Sequence, residues 1–302
     1  VESQTVTGAV TASAAEMTGL NEGTPVVGGG GDQAASAVGT GIVEPGLVSV
    51  TLGTSGVVFA HMQQPRLDPE GRLHTFCHAL PDAWHVMGVT LSAGGSFRWF
   101  RDALGAAEKQ VALLSGVDPY EILTAEAAQA PAGSEGLLFL PYLTGERAPY
   151  PDPSARGVYF GLTLRHDQRH MVRAVLEGVA YSLRDSVELF RELGVPIRQV
   201  RATGGGARSL LWRQILADVF GTQLVTVDVT DSTAFGAALL AGVGTGVYAN
   251  VPEACRATVK VVDEVQPDAQ RQATYDAYYR VYHSLYAPLR QAFKEVSSID
   301  MG

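Results

Sequence analysis

Residues 197–243 read IRQVRATGGGARSLLWRQILADVFGTQLVTVDVTDSTAFGAALLAGV, and this stretch decides the fold. Its period changes three times. A strand over 197–202 meets a glycine turn at 204–206. A helix over 208–220, a strand over 223–227 and a helix over 233–243 follow. Alternating β and α units of this kind mark a parallel part of a sheet. Just upstream, Val172, Val175, Leu176, Val179, Leu183, Val187 and Phe190 recur at three- and four-residue steps. That spacing gives one apolar face and predicts a helix over about 168–193, ended by Gly194 and Pro196.

Further back the reading is β-rich. VSVTL (48–52), VVFA (57–60) and WHVMGVTL (84–91) predict three antiparallel strands. Three strands, then helices, then βαβα gives an α/β chain with a mixed five-stranded sheet flanked by helices. That arrangement is the half-unit of an actin-like, ribonuclease H-like ATPase domain. The remainder is less patterned. Residues 1–24 predict a strand, a helix over about 11–18 and a turn, which is not how a domain opens. Val26 and Val27 lead through four glycines into a small-residue helix up to Gly41. A helix is expected over 95–104, a loop over 129–135, a buried strand over 137–143 and a long final helix over 267–295. No repeat of solenoid period occurs.

Composition narrows the function. The 302 residues are 46% hydrophobic and 18% charged, enough to bury a sizeable core. The net charge is −9 and no Lys/Arg run stands out, so nucleic acid is not an expected partner. An anionic ligand would need local donors, helix ends or a metal. No apolar run approaches ~18 residues, and no N-terminal signal pattern is seen. Cys77 and Cys255 form no CxxC and no disulfide framework, which fits a reducing, cytoplasmic setting. The seven histidines include no HExxH and no spacing suited to a metal; His74 and His78, four apart, read as ordinary surface or core residues.

Four short segments can carry chemistry, each with a plainer reading. In Gly28–Gly31, Asp32, Gln33, the aspartate either caps a helix or is a carboxylate placed to take a proton from an attacking hydroxyl. Gly53-Thr54-Ser55-Gly56, between two strands, is a hairpin turn or a phosphate loop of backbone N–H groups and hydroxyls. Gly204-Gly205-Gly206-Ala207 lies between strand and helix, where such sheets bind nucleotides; close helix–strand packing is the alternative. It is neither GxGxxG nor GxxxxGK[ST]. Finally, Glu146 and Arg147 after Gly145 read as a plain exposed ion pair.

Together these segments resemble the FGGY family of carbohydrate kinases. GVYFGLTLRHDQRHMVRAVLE (157–177) fits the family's C-terminal signature. GGGGDQAASAVGTG, VSVTLGTSGVVFA, LPYLTGERAPYPDPSARG, TGGGARSLLWRQILADVF and DSTAFGAALLAG resemble its other blocks, in the family's order. The resemblance covers nearly the whole chain and is closest to members that phosphorylate D-xylulose. It implies a sugar and ATP held between two actin-like halves, with Mg²⁺ as the ion. By resemblance Asp32 is the catalytic base, with Gln33 beside it at the sugar. Gly53, Thr54 and Ser55 match the phosphate turn, Gly145 a further phosphate-side glycine, and Gly205, Gly206 and Ala207 the adenosine side. Ser209 and Leu210 stand where the family often has Asn, so the adenine contacts depart from its pattern.

The family's opening Asp-x-Gly-Thr loop is not found. Residues 1–45 are therefore expected to be the tail end of an N-terminal sugar-binding domain whose remainder is absent, and 46–302 the C-terminal nucleotide-binding domain. Such a chain alone is expected to be inactive, with the missing domain as its partner; a homodimer is left open. The expected reaction, by resemblance, is ATP-dependent phosphorylation of D-xylulose at carbon 5. L-ribulose, gluconate or glycerol is the nearest alternative acceptor. A non-catalytic nucleotide-binding module and an NAD-dependent Rossmann enzyme are the rival classes; the latter lacks its GxGxxG.

Overall fold

The computed structural model describes residues 1–299. In chain order the elements are β1 (Val6–Ala9), α1 (Ala12–Thr18), β2 (Pro25–Val27), α2 (Asp32–Gly39), β3 (Gly46–Leu52), β4 (Gly56–Met62), β5 (His74–Cys77) and β6 (Trp84–Thr90). Three helices follow: α3 (Gly94–Ala103), α4 (Ala106–Ser115) and α5 (Pro119–Ala127). Then come β7 (Leu138–Leu140), β8 (Val158–Phe160), α6 (Gln168–Glu192), β9 (Ile197–Thr203), α7 (Leu210–Phe220), β10 (Leu224–Val227), α8 (Ser232–Gly244), α9 (Val251–Thr258), β11 (Val261–Val265) and α10 (Ala269–Ser298).

The central sheet is mixed and flanked by helices, as expected, but it has seven strands where five were read. Its order is β11-β10-β9-β3-β4-β6-β5. The five inner strands are the expected ones: β3, β4 and β6 run antiparallel, and β9 and β10 continue parallel from β3. The additions, β5 and β11, are the two edges. Four of the five residues of β11 are exposed, and β5 buries none fully, so neither carries the alternation that marks a half-buried strand.

Helix α6 packs across this sheet. Asp167 caps it, its carboxylate accepting the Arg169 N–H at 3.0 Å. The seven apolar residues read from its period are all buried. Each contributes roughly 1.5–3 kcal/mol by leaving water. They join the main core with β3, β4, β7, α7 and α10. A second, smaller core lies under α2 and α8. It contains Ala34, Val38, Val43, Ala79, Leu80, Leu239 and Leu240. Here the helices approach through glycine: a Cβ on Gly39 would lie 1.9 Å from the Ser232 carbonyl oxygen, and one on Gly236 1.8 Å from that of Ala35.

The first 27 residues contrast with both cores. The two-stranded sheet β1–β2 stands apart from the central one, β1 is exposed throughout, and α1 buries no residue.

Candidate active site

Strands β3 and β9 are parallel neighbours, so their C-terminal ends bring two glycine turns side by side. Thr51 Oγ1 and Thr203 Oγ1 lie 3.0 Å apart just before them. Beyond Thr203, Gly204 has φ +84°, and a Cβ there would sit 2.6 Å from the Leu52 carbonyl oxygen. Only glycine meets both demands.

The turn after β3 is both a hairpin connection and a set of unused donors. The Gly53 carbonyl accepts from the Gly94 N–H at 2.8 Å. The Thr54 carbonyl accepts from the Ala93 and Gly95 N–H groups, each at 2.9 Å. The start of α3 thus holds the turn from behind. In a trans peptide, C=O and N–H point opposite ways. The N–H groups of Thr54 and Ser55 therefore face away from α3, and among the described residues neither donates to a backbone carbonyl. A row of free N–H groups on small residues is an anion-binding concavity.

A cavity of about 840 Å³ opens beside these turns. Gly53, Thr54, Gly205 and Gly206 line it. So the structure brings these four together on one cavity. Ser55 follows in the turn without lining the cavity, and Ala207 is buried. Ser209 caps α7, accepting the Trp212 N–H at 3.2 Å, and with Leu210 lines the same cavity.

The far wall was not read from the sequence. It is made by Phe97 and Arg98 of α3 and by Tyr120, Glu121 and Thr124 of α5. Phe97 packs edge-on against Trp212 at 5.7 Å and tilted on Tyr120 at 5.0 Å, giving this wall an aromatic, apolar lining. Arg98 and Arg208 are exposed on the rim and form no ion pair among the described residues. They are the local cations that an acidic chain needs to hold an anion. A signal for α5 was present: Asp118-Pro119 is a capping residue followed by proline at the first helical position.

Asp32 and Gln33 lie elsewhere, at the start of α2 and outside the cavity lining. Asp32 is not the N-cap: that position is Gly31, which has no side-chain cap bond. Asp32 occupies the first helical position, exposed, with Oδ1 accepting the Gln33 N–H at 2.8 Å and Oδ2 receiving the Gln33 Nε2 at 3.4 Å. The carboxylate is favoured there by the helix dipole and stays open to a ligand.

Gly145 is also outside the cavity lining. It is buried, with φ +80°, in a segment pinned to the end of β6 by the bond from Ala148 N–H to the Val89 carbonyl at 3.0 Å. The expected exposed ion pair beside it is not formed. Glu146 is 3% exposed and turns inward, while Arg147 points to solvent. What single-sequence reading could not see is the set of donors that Thr90, Leu91 and Ser182 supply from distant parts of the chain.

Sequence comparison shows the family. The C-terminal domain model of the FGGY family of carbohydrate kinases matches residues 48–245, and the N-terminal domain model matches residues 1–39. The chain belongs to the FGGY family of carbohydrate kinases. It is 41% identical to the xylulose kinase of Escherichia coli over 281 residues, covering 91% of this chain and 54% of that protein. It is also 41% identical to the gluconokinase of Bacillus subtilis, over 230 residues, 76% of this chain and 44% of that protein. The crystal structure of xylulose kinase from Rhodospirillum rubrum superposes with a TM-score of 0.85 at 34% identity, over 97% of this chain and 57% of that one. This FGGY chain thus spans about half the length of the relatives it matches. No helix among the described residues is long and apolar enough to cross a membrane.

Proposed function

We propose that this FGGY chain serves ATP-dependent phosphorylation of a sugar hydroxyl, with D-xylulose as acceptor and Asp32 as general base. The observation that carries the reading is the cavity at the ends of β3 and β9, where free N–H groups of the Gly53–Ser55 turn meet the Gly205–Gly206 turn in a family of sugar kinases. The nucleobase would lie against Phe97 and Tyr120, and the phosphates would run toward Thr54 and Ser55. Asp32 would accept the proton of the sugar hydroxyl as that oxygen attacks the γ-phosphorus. Such transfer has a loose transition state, so the protein's part is positioning and charge stabilisation.

Mg²⁺ would be carried mainly by the nucleotide. Among the described residues no three His, Cys, Asp or Glu side chains converge on one point. Magnesium is held mostly by waters and phosphate oxygens in such sites, where it neutralises charge on the phosphates.

Coverage supports the acceptor. The xylulose kinase matches 91% of this chain and the gluconokinase 76% at the same identity, which favours D-xylulose and leaves gluconate as the second reading. Residues 1–45 would belong to the sugar-binding half and 46–302 to the nucleotide-binding half, in the cytoplasm. The exposed β1–α1–β2 unit supports this, since seven helical residues with none buried are not stable alone. More of the sugar-binding half would cover it, and without that half turnover would be slight.

The test is a coupled assay of ADP release by the full-length enzyme with D-xylulose, L-ribulose, gluconate and glycerol. Turnover with D-xylulose that disappears in Asp32→Asn, while ATP still binds, is the expected result. Unchanged turnover in that variant removes Asp32 from the reaction. ATP binding with no turnover on any acceptor would favour a non-catalytic nucleotide-binding module.

A further inference from the structure

We propose that Glu146 is a positioning residue that sets the Gly145 turn in register with the Gly53–Ser55 turn. The carboxylate collects three donors, with a fourth hydroxyl close by. Oε1 accepts the N–H groups of Leu91 at 2.9 Å and Arg147 at 2.7 Å. Oε2 accepts the Thr90 hydroxyl at 2.6 Å, and the Ser182 hydroxyl lies 3.4 Å from it. Thr90 ends β6 and pairs with Gly56, which immediately follows the phosphate-type turn. Leu91 leads into Ala93–Gly95, whose N–H groups hold the Gly53 and Thr54 carbonyls. One buried side chain therefore grips the short stretch 90–91 from which that turn is held. On its other side it is covalently joined to Gly145.

The grip depends on charge. Arg147 N–H and Leu91 N–H can only donate, so Oε1 is an acceptor in every state. The Ser182 hydroxyl donates to Thr90 Oγ1 at 2.8 Å, and Thr90 donates onward to Oε2. A proton on Oε2 would reverse that chain: Oε2–H would donate to Thr90, and Thr90 would have to turn toward Ser182. No ion-pair partner lies within reach among the described residues. Around it stand Asp185 on α6, Tyr282 on α10 and Tyr142 on its own segment. Burial, reinforced by Asp185, pushes the Glu146 carboxyl up to about 7. The reversal thus falls in the working range of pH. The consequence for ligand rests on the nucleotide reading proposed above; the register of the two turns does not.

Two measurements on wild type and Glu146→Gln test this. Gln can keep the Oε1 bonds, but its Nε2 donates to Thr90 and fixes the reversed chain at every pH. Amide hydrogen exchange, corrected for intrinsic rate, should show protection in 52–56 and 90–95 falling together with 144–148 in the variant, and in wild type as pH falls below about 7. Affinity for MgATP should drop about tenfold, the size of one charge-assisted hydrogen bond, while affinity for adenosine holds. The variant should lack the wild-type pH step. Unchanged exchange at 52–56, or equal weakening of MgATP and adenosine, would overturn the role. If Glu146→Gln does not fold, the wild-type pH series decides by the same criteria. If wild type binds no MgATP, the nucleotide reading fails and exchange alone judges Glu146.

Discussion

The helix that carries Asp32 and the turns that line the cavity are held by different parts of the interior. Helix α2 rests on the smaller core, with Leu80, Leu239 and Leu240 beneath it and a glycine-to-glycine contact with α8. The Gly53–Ser55 and Gly204–Gly206 turns grow directly from strands of the main core, above Leu52, Phe97 and Trp212. Groups with separate supports can be disturbed separately. Each variant below asks whether the two sides come apart.

The largest effect is expected from Asp32→Asn in the full-length enzyme. Loss of a general base lowers turnover by roughly 10²–10⁴-fold. Because Asp32 is exposed and supports no core residue, the melting temperature and ATP affinity should stay near wild type. Parallel loss of ATP binding would mean that α2 and the cavity are one unit.

Acid should act next, and on the α2 side. His61, His78 and His85 are buried together behind the helix, with ring centroids 5.5 Å apart for His61 and His78 and 5.9 Å for His78 and His85. His78 Nε2 lies 3.1 Å from the carbonyl of Ile42, three residues beyond α2. Burial, with mutual repulsion, lowers His78 to about 3, and burial lowers His85 to about 4. Glu44 opposes the shift at His61 without reversing it. A depressed histidine stabilises the fold fully above its unfolded value near 6.5. That stabilisation is lost as pH falls toward 4 and then 3, on the order of a few kcal/mol in all. Thermal melts between about pH 7 and pH 4 should fall in this window, and hydrogen exchange in 32–43 should rise with them, in Glu146→Gln as in wild type. In Glu146→Gln, where the Gly53 turn has no pH step of its own, an acid-induced rise at 52–56 equal to that at 32–43 would contradict separate support.

The helix contact gives a third, smaller test. Gly236→Ala places a methyl where the Ala35 carbonyl stands, so α2 must move off α8. Overpacking of this kind costs about 1–3 kcal/mol. Turnover should fall more than ATP affinity, and equal losses would tie the two supports together.

The same division explains what the sequence disclosed. The main core was legible because its strands and α6 are periodic and fully buried, down to the seven residues of one helical face. The edge strands were not, since solvent on both sides removes the pattern from β5 and β11. In the site, Gly53, Thr54, Gly205 and Gly206 stood out because turns advertise themselves with glycine. Phe97, Tyr120 and Thr124 did not, because a cavity wall made by two helices leaves no local mark. Glu146 was misread for a related reason: charge next to Arg147 looks like surface, and only tertiary contact with Thr90 and Ser182 makes it buried.

The smallest effect is the most discriminating. Gly205 and Gly206 are neighbours on the cavity wall, yet they are glycine for different reasons. A Cβ on Gly206 would lie 2.8 Å from both the Leu52 Cβ and the Trp212 ring, so packing alone requires glycine there. A Cβ on Gly205 meets nothing within 4 Å and its φ is not positive, so the protein itself makes no such demand. Since Gly205 opens a short 3₁₀ turn, Gly205→Ala should leave stability unchanged or raise it by about 0.4–1 kcal/mol, through a less flexible unfolded chain. If a nucleotide comes close to this backbone, the same methyl obstructs the ligand and ATP affinity falls while the melting temperature does not. Calorimetric titration beside a thermal melt separates the two. Unaltered affinity would mean that the ligand does not approach Gly205, and the nucleotide would then have to be drawn along the Gly53 side of the cavity alone.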